Sequence, residues 1–301
     1  MQWIALGALS GLVFGLSDVA TKRGLEENSI LFVLAGTFAF AVLFWIPVIG
    51  WMFIQGSGME WLGAIGKIAF TSHLAIFLKS SCLAASSLLA FAAIKHLPLS
   101  VAGGIRATGP IWPLIGGILL FQESLRPQEW AGLILILGAL TIYTTVGLRS
   151  GGARASMAWI AAMTGAVLLA GISLLLDKAL VSGRDIDPRH IQFLSDFYRF
   201  AIVAAAVGGH MRLKPGAARG AHWHWGIAAG GLGMSLGEFI YFRALLNPDA
   251  IIGILSALRR VSVVTAFLFA VFVLKENRIR AKSAAISLLI LGLIILATAK
   301  A

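Results

Sequence analysis

The chain has 301 residues, of which 59% are hydrophobic and only 12% charged, against roughly 25% charged in ordinary soluble domains. With a mean hydropathy of +0.91, a soluble core of this size could not hide so much apolar surface. That excludes an ordinary soluble enzyme, a disordered chain and a secreted disulfide scaffold, and points to a polytopic membrane protein. The net charge of +11 would suggest nucleic acid in a soluble protein, but there is no basic arm or tail, so no nucleic-acid partner is expected.

A helix needs about 20 apolar residues to cross a bilayer. Ten segments qualify, at approximately 2–21, 29–53, 68–95, 99–121, 127–147, 157–178, 189–209, 223–246, 250–274 and 282–299. The breaks between them include Lys22-Arg23-Gly24, Gln55-Gly56-Ser57-Gly58, Leu97-Pro98, Arg149 to Arg154, Arg212 to Pro215, Asn247-Pro248 and Lys275-Glu276-Asn277. The opening Gln2-Trp3-Ile4 has no basic leader and no small-residue cleavage site, which reads as a retained first helix. Trp3, Trp51, Trp61, Trp130, Trp159 and Trp223 lie near segment ends and read as an aromatic belt at the membrane interfaces. Gly7, Gly11 and Gly15, and again Gly226, Gly230, Gly233 and Gly237, form ridges that let helices approach closely.

The two halves repeat. Arg106 precedes Glu123 by the same spacing as Arg259 precedes Glu276. Gly15-Leu16-Ser17 before Thr21-Lys22 has its counterpart in Gly171-Ile172-Ser173 before Asp177-Lys178. Gly138 follows the first glutamate and Gly292 the second, and Pro98 and Pro248 precede the arginine-bearing segments. The fold class expected is an all-α membrane protein of ten transmembrane helices, built as two inverted five-helix repeats, residues 1–148 and 155–301. An odd number of crossings per unit inverts the second unit relative to the first.

Two five-helix halves, each closing with a helix, a glutamate and a glycine-bearing helix, resemble the drug/metabolite transporter superfamily, EamA type. The resemblance implies a ten-helix metabolite transporter of the cytoplasmic (inner) membrane with both termini in the cytoplasm. The Lys/Arg-rich loops 149–154, 212–219 and 275–282 favour the opposite orientation by the positive-inside rule.

Charge inside the apolar segments carries the functional reading. Lys79, Arg199, Arg259 and Arg260 lie roughly nine to eleven residues from their helix starts, near the midplane at about 1.5 Å per residue. Arg106 is shallower. Each ionised group at mid-membrane costs about 2.5–3.5 kcal/mol on insertion scales. Glu238 and Asp196 are the expected carboxylate partners. Two acids leave a surplus of positive charge, which should face a wet cavity and attract an anion. Arginine suits phosphate or carboxylate through paired hydrogen bonds and keeps its charge when desolvated. A cation on the fourth helix, an arginine on the seventh and a basic pair on the ninth also resemble the phosphate-binding set of the sugar-phosphate/phosphate translocators. By that likeness Arg106, Arg199, Arg259 and Arg260 hold the charged group of the ligand.

Glu238 is read as an ion-pair partner ahead of a proton carrier or an amine ligand. Glu123 and Glu276 are read as caps or gating contacts, and Asp18 with Lys22 as an intrahelical pair. The single cysteine, Cys82, and the scattered histidines build no metal site, no phosphate-binding loop occurs, and no cofactor is expected. The expectation is therefore a non-enzymatic secondary transporter of a small organic anion (phosphorylated, phosphonate or carboxylate), with membrane lipid around it and a proton or counter-substrate as coupling partner. The alternatives are a proton-coupled exporter of amino acids or other neutral metabolites, a flippase for a phosphate-bearing lipid, and a non-transporting scaffold.

Overall fold

The computed structural model describes residues 2–97, 105–106, 108–148, 156–183, 186–213, 222–262, 264–265 and 279–298. Pro98, the loop 149–155 and Glu276 fall outside these residues. The chain is an all-α membrane protein. Its helices are α1 (Gln2–Glu27), α2 (Ile30–Leu43), α3 (Trp45–Ile54), α4 (Gly58–Ile65), α5 (Phe70–His96), α6 (Ile111–Phe121), α7 (Pro127–Leu148), α8 (Met157–Gly183), α9 (Pro188–Leu213), α10 (Trp225–Leu245), α11 (Ile252–Leu258) and α12 (Ile279–Thr298). A 3₁₀ turn, Arg259–Val261, continues α11.

Among the described residues, five spans are long and apolar enough to cross a bilayer: Gln2–Glu26, Ile30–Ile54, Phe70–Ala93, Met157–Gly183 and Pro188–Leu213. Shorter apolar helices cover Ile111–Phe121, Pro127–Ile142 and Ser283–Leu296. Backbone groups in lipid must be paired within the chain, and a helix does this alone. Ile46, Ile54, Phe70, Leu119 and Ile134 are exposed, as expected where the solvent is hydrocarbon.

Local chemistry sets the breaks. The second predicted segment divides at Phe44 into α2 and α3. Pro47 has no N–H to offer the carbonyl of Leu43, so the ladder cannot run through unbroken. Ser29 starts α2 by accepting the Phe32 amide at 3.4 Å, and the His224 ring starts α10 by accepting the Gly226 amide at 3.0 Å. Within the segment expected as one helix over 99–121, residues 105–106 are helical, residues 108–110 turn, and α6 covers Ile111–Phe121. Pro110 and Pro113 cannot donate, and the residue before a proline avoids helical backbone.

Close packing follows the small residues. α1 lies between α10 and the α11–3₁₀ segment. Ser10 and Ser17 on α1 donate to the carbonyls of Gly237 and Gly230, at 2.8 and 2.6 Å. On another face Gly11 packs on the backbone carbonyls of Leu258 and Arg259, and Gly15 on Ser262 and Thr265. α8 is held in the same manner between α5 and α6. Ser86 donates to Ala166 O at 2.7 Å, and Gly171 meets Trp112. α7 pairs with α12, where Gly132 and Gly292 each sit against the other's carbonyl. Interhelical hydrogen bonds of this kind contribute on the order of 0.6 kcal/mol each, so contact at the glycines does most of the holding.

Not every tryptophan serves as a belt. Trp51, Trp130 and Trp223 are exposed, whereas Trp3 and Trp61 are buried among helices.

A Cβ on Gly226 would collide with the Ala20 carbonyl, and one on Gly231 with the Thr37 carbonyl. Gly226→Val and Gly231→Val are each expected to lower stability by about 1–3 kcal/mol through overpacking. Gly138, which has nothing within 4 Å of its Cβ position, should accept alanine without loss. Thermal melts of the purified variants in detergent check this.

Candidate functional site

Arg199 is fully buried on α9. Its Nη1 and Nη2 donate to Glu238 Oε1 and Oε2 at 2.8 and 2.7 Å. Nη2 also donates to Asp196, one turn earlier. Asp196 accepts further from Trp45 Nε1 at 2.9 Å and Ser235 Oγ at 2.8 Å. Phe38 lies under the guanidinium at 5.4 Å. Sequence reasoning placed Asp196 and Glu238 as the carboxylate partners, and the structure brings both to Arg199.

Lys79, buried on α5, is ion-paired with Asp177 of α8 at 2.7 Å. It also donates to Ser195 Oγ at 3.2 Å, and its ammonium lies over Phe242 at 5.0 Å. Asp177 was legible only as a repeat marker beside Lys178. Its buried position opposite Lys79 adds a third acid to the two counted from sequence.

Arg259 is sandwiched between the rings of Phe14 at 4.2 Å and Tyr241 at 4.8 Å. Its charge is felt by Asp177 and Glu238 on one side and by Asp18 on the other. Asp18 is 4.0 Å from Arg106 and within electrostatic reach of Arg260. Among the described residues, its ion-pair partner is Arg106 and not the Lys22 expected from spacing. The Arg260 guanidinium packs against Gly109, where a side chain would displace it, and its Nε is buried without a partner. The Asp18 side chain is 64% accessible.

Among the described residues, five cations face Asp18, Asp177, Asp196 and Glu238 across this centre. Arg199 and Lys79 are matched by their own carboxylates. Arg106, Arg259 and Arg260 share the remainder, so positive charge is in surplus around Asp18.

At the end of the bundle where α1 begins, Glu123 joins three elements. Gln122 takes a left-handed conformation, φ 54° and ψ 34°, and stops α6. Glu123 Oε1 then accepts from Lys178 of α8 and, at 2.9 Å, from the amide of Ile252, capping α11. Lys178 Nζ also donates to Ala250 O at 3.1 Å.

The same end carries a cavity of about 690 Å³ lined by Glu60, Trp61, Lys67, Asp187, Arg189 and His190, among others. Trp61 stacks on His190 at 4.5 Å and on Trp45 at 6.0 Å, so aromatic rings separate this vestibule from Asp196. Burial works against the Asp187 carboxylate. Hydrogen bonds from the Arg189 guanidinium and amide outweigh it and hold the group below the usual carboxylate range. The Asp187–Arg189 clamp therefore persists at neutral pH and is lost only as pH falls below that lowered value. The buried arginine cluster is not part of the vestibule.

Residues 1–145 match the EamA-like transporter family. Over 173 residues the chain is 34% identical to Protein RarD of Streptomyces exfoliatus, covering 55% of this chain and 49% of that protein. The chain thus matches about half the length of this curated relative. A solved crystal structure shares the fold with a TM-score of 0.75, at 16% identity, over 97% of this chain and 95% of the other.

Removing one partner from a buried pair leaves an uncompensated charge, which costs about 3–5 kcal/mol. Arg199→Met should therefore lower the melting temperature sharply, since two carboxylates remain behind. Arg260→Met should leave it nearly unchanged or raise it. Equal losses in both would show that Arg260 is held as tightly as Arg199.

Proposed function

We propose that the chain is a secondary transporter that moves a small organic anion, phosphorylated, phosphonate or carboxylate, by alternating access. The carrying observation is the set Arg106, Arg259 and Arg260 gathered, among the described residues, about the carboxylate of Asp18, whose side chain is accessible. Such a surplus favours a bound anion. Guanidinium forks suit tetrahedral or planar oxyanions. The family match of the first half supports membrane transport of small molecules.

The packing supports two inverted repeats, residues 1–148 and 155–301. The α1–α10 contact corresponds to α8–α5, α2–α10 to α9–α5, and α1–α11 to α8–α6, while α6–α11 and α7–α12 map onto themselves. The register that matches Arg106 with Arg259 also matches Trp112 with Thr265, and these two meet Gly171 and Gly15, themselves a matched pair. In this reading the Glu123–Lys178 contact closes one end of the path, and the accessible Asp18 lies toward the other. The cytoplasmic membrane, with both termini in the cytoplasm, is the location and orientation that the family resemblance supports.

The proton-coupled exporter built on Glu238 is less favoured, because both Glu238 oxygens already accept from Arg199. Flippase and scaffold readings are separated from the anion carrier by ligand response.

The test is a thermal-shift panel on purified protein, comparing sugar phosphates, phosphonates, carboxylates, amino acids and cationic drugs, with Arg259→Ala and Arg260→Gln alongside. Ligand at about 100-fold above Kd stabilises by about 2.7 kcal/mol. An anion should raise the melting temperature of the wild type. Each variant should bind it about 10- to 100-fold more weakly, from the loss of a charged hydrogen bond. Stabilisation only by amino acids or neutral compounds, unaffected by either substitution, would overturn the anion reading.

A further inference from the structure

Asp177 differs from the other buried carboxylates of the centre. Asp196 accepts from Arg199, Trp45 and Ser235, and Glu238 accepts twice from Arg199. Asp177 has one charged partner in contact, Lys79, and its Oδ1 receives no well-directed hydrogen bond. Lys79 in turn has a second acceptor ready, Ser195 Oγ. From α10, Glu238 and Tyr241 face Asp177, and Arg259 faces it from the 3₁₀ turn. From α6 the side chain against Gly171 is that of Trp112. The neighbouring Lys178 is turned away to Glu123. Tyr241 Oη is buried, has no hydrogen-bond partner, and lies within electrostatic reach of Asp177 and Arg259.

We propose that Asp177 is a proton site whose occupation releases Lys79 to the transported anion, so that proton and anion bind together. The step adds one proton from water to the Asp177 carboxylate and breaks no covalent bond. Lys79 keeps its ammonium charge throughout. The pair passes from neutral to a single positive charge, which the anion then cancels, met by Lys79, Tyr241 Oη and Arg259. A lone cation in this setting is costly, so each ligand strengthens the other by the same factor. An arginine would give a similar charge, but Arg199 is locked by two acids and cannot be released by one proton. The inference rests on the anion reading above and adds to it the coupling ion and the residue that carries it.

Sulfate is the probe, because it keeps its charge through the neutral and mildly acidic range. Its affinity for the full-length protein is measured by calorimetry across that range. In parallel, infrared spectroscopy follows the C=O stretch of a protonated carboxylic acid without any ligand. In the wild type, sulfate binding should tighten as pH falls, approaching about tenfold per pH unit, the limit for one linked proton. Asp177→Asn should bind with the acid-form affinity at every pH and lack the carboxylic-acid band. Lys79→Gln should lose both affinity and slope, which keeps the test open if Asp177→Asn does not fold. Sulfate binding with no pH dependence in the wild type, or an unchanged slope in Asp177→Asn, overturns the proton site and leaves the anion reading standing. Absence of sulfate binding at every pH defeats the anion reading and this inference with it.

Discussion

Arg199 is the fixed point of the bundle. A guanidinium cannot shed its charge in a protein, so the surrounding helices must supply carboxylates wherever it is buried. Asp196 comes from the same helix, Glu238 and Ser235 from α10, and Trp45 from α3. Ser195, the neighbour of Asp196, receives hydrogen bonds from Lys79 and Ser80 of α5, and Lys79 reaches α8 through Asp177. One cation thereby ties elements of both halves into a single polar network. Lipid offers no hydrophobic force to draw helices together, so this network and the glycine contacts carry the work that apolar burial performs in water.

Those two devices divide the labour. Glycines on α1 and α10 bring backbones together where side chains would hold them apart, and the serines beside them add short hydrogen bonds. The polar network then fixes which helix faces which. Arg106, Arg259 and Arg260 are the part that the network leaves over, and the aromatic faces of Phe14 and Tyr241 hold Arg259 without spending a carboxylate on it. The arrangement holds a charged group in place through ring faces.

Much of this was legible in the sequence. Runs of apolar residues marked the helices, since hydropathy over about 20 residues is set by bilayer thickness. The buried cations stood out for the same reason, and Glu238 and Asp196 were visible as their partners because acids inside apolar segments are scarce. Asp177 was missed as the partner of Lys79. Beside Lys178 it marks only the repeat, and the α5–α8 packing is what brings it to Lys79. Trp3 and Trp61 read as interfacial for a similar reason: position near a helix end says nothing about which side of the helix meets a neighbour. The interruption at Thr108–Pro110 was hidden by the apolar run on either side, although Pro110 and Pro113 were the signal for it. Glu123 was recognised as a cap or gating contact, but not that it caps a helix of the other half.

That cap has a mechanical consequence. One oxygen atom of Glu123 serves a side chain of α8 and the leading amide of α11 at once, and the lysine that it binds also grips the carbonyl just ahead of that helix. The two bonds share one acceptor, so a shift of Glu123 strains both. Displacing α8 therefore frays the first turn of α11, and that helix leads within two turns to Arg259 and Arg260. In the proposed transport cycle that would make the contact a latch in series with the arginines: force applied at the rim would reach the residues at the centre along a short, stiff rod, with no need for a relay of side chains between them.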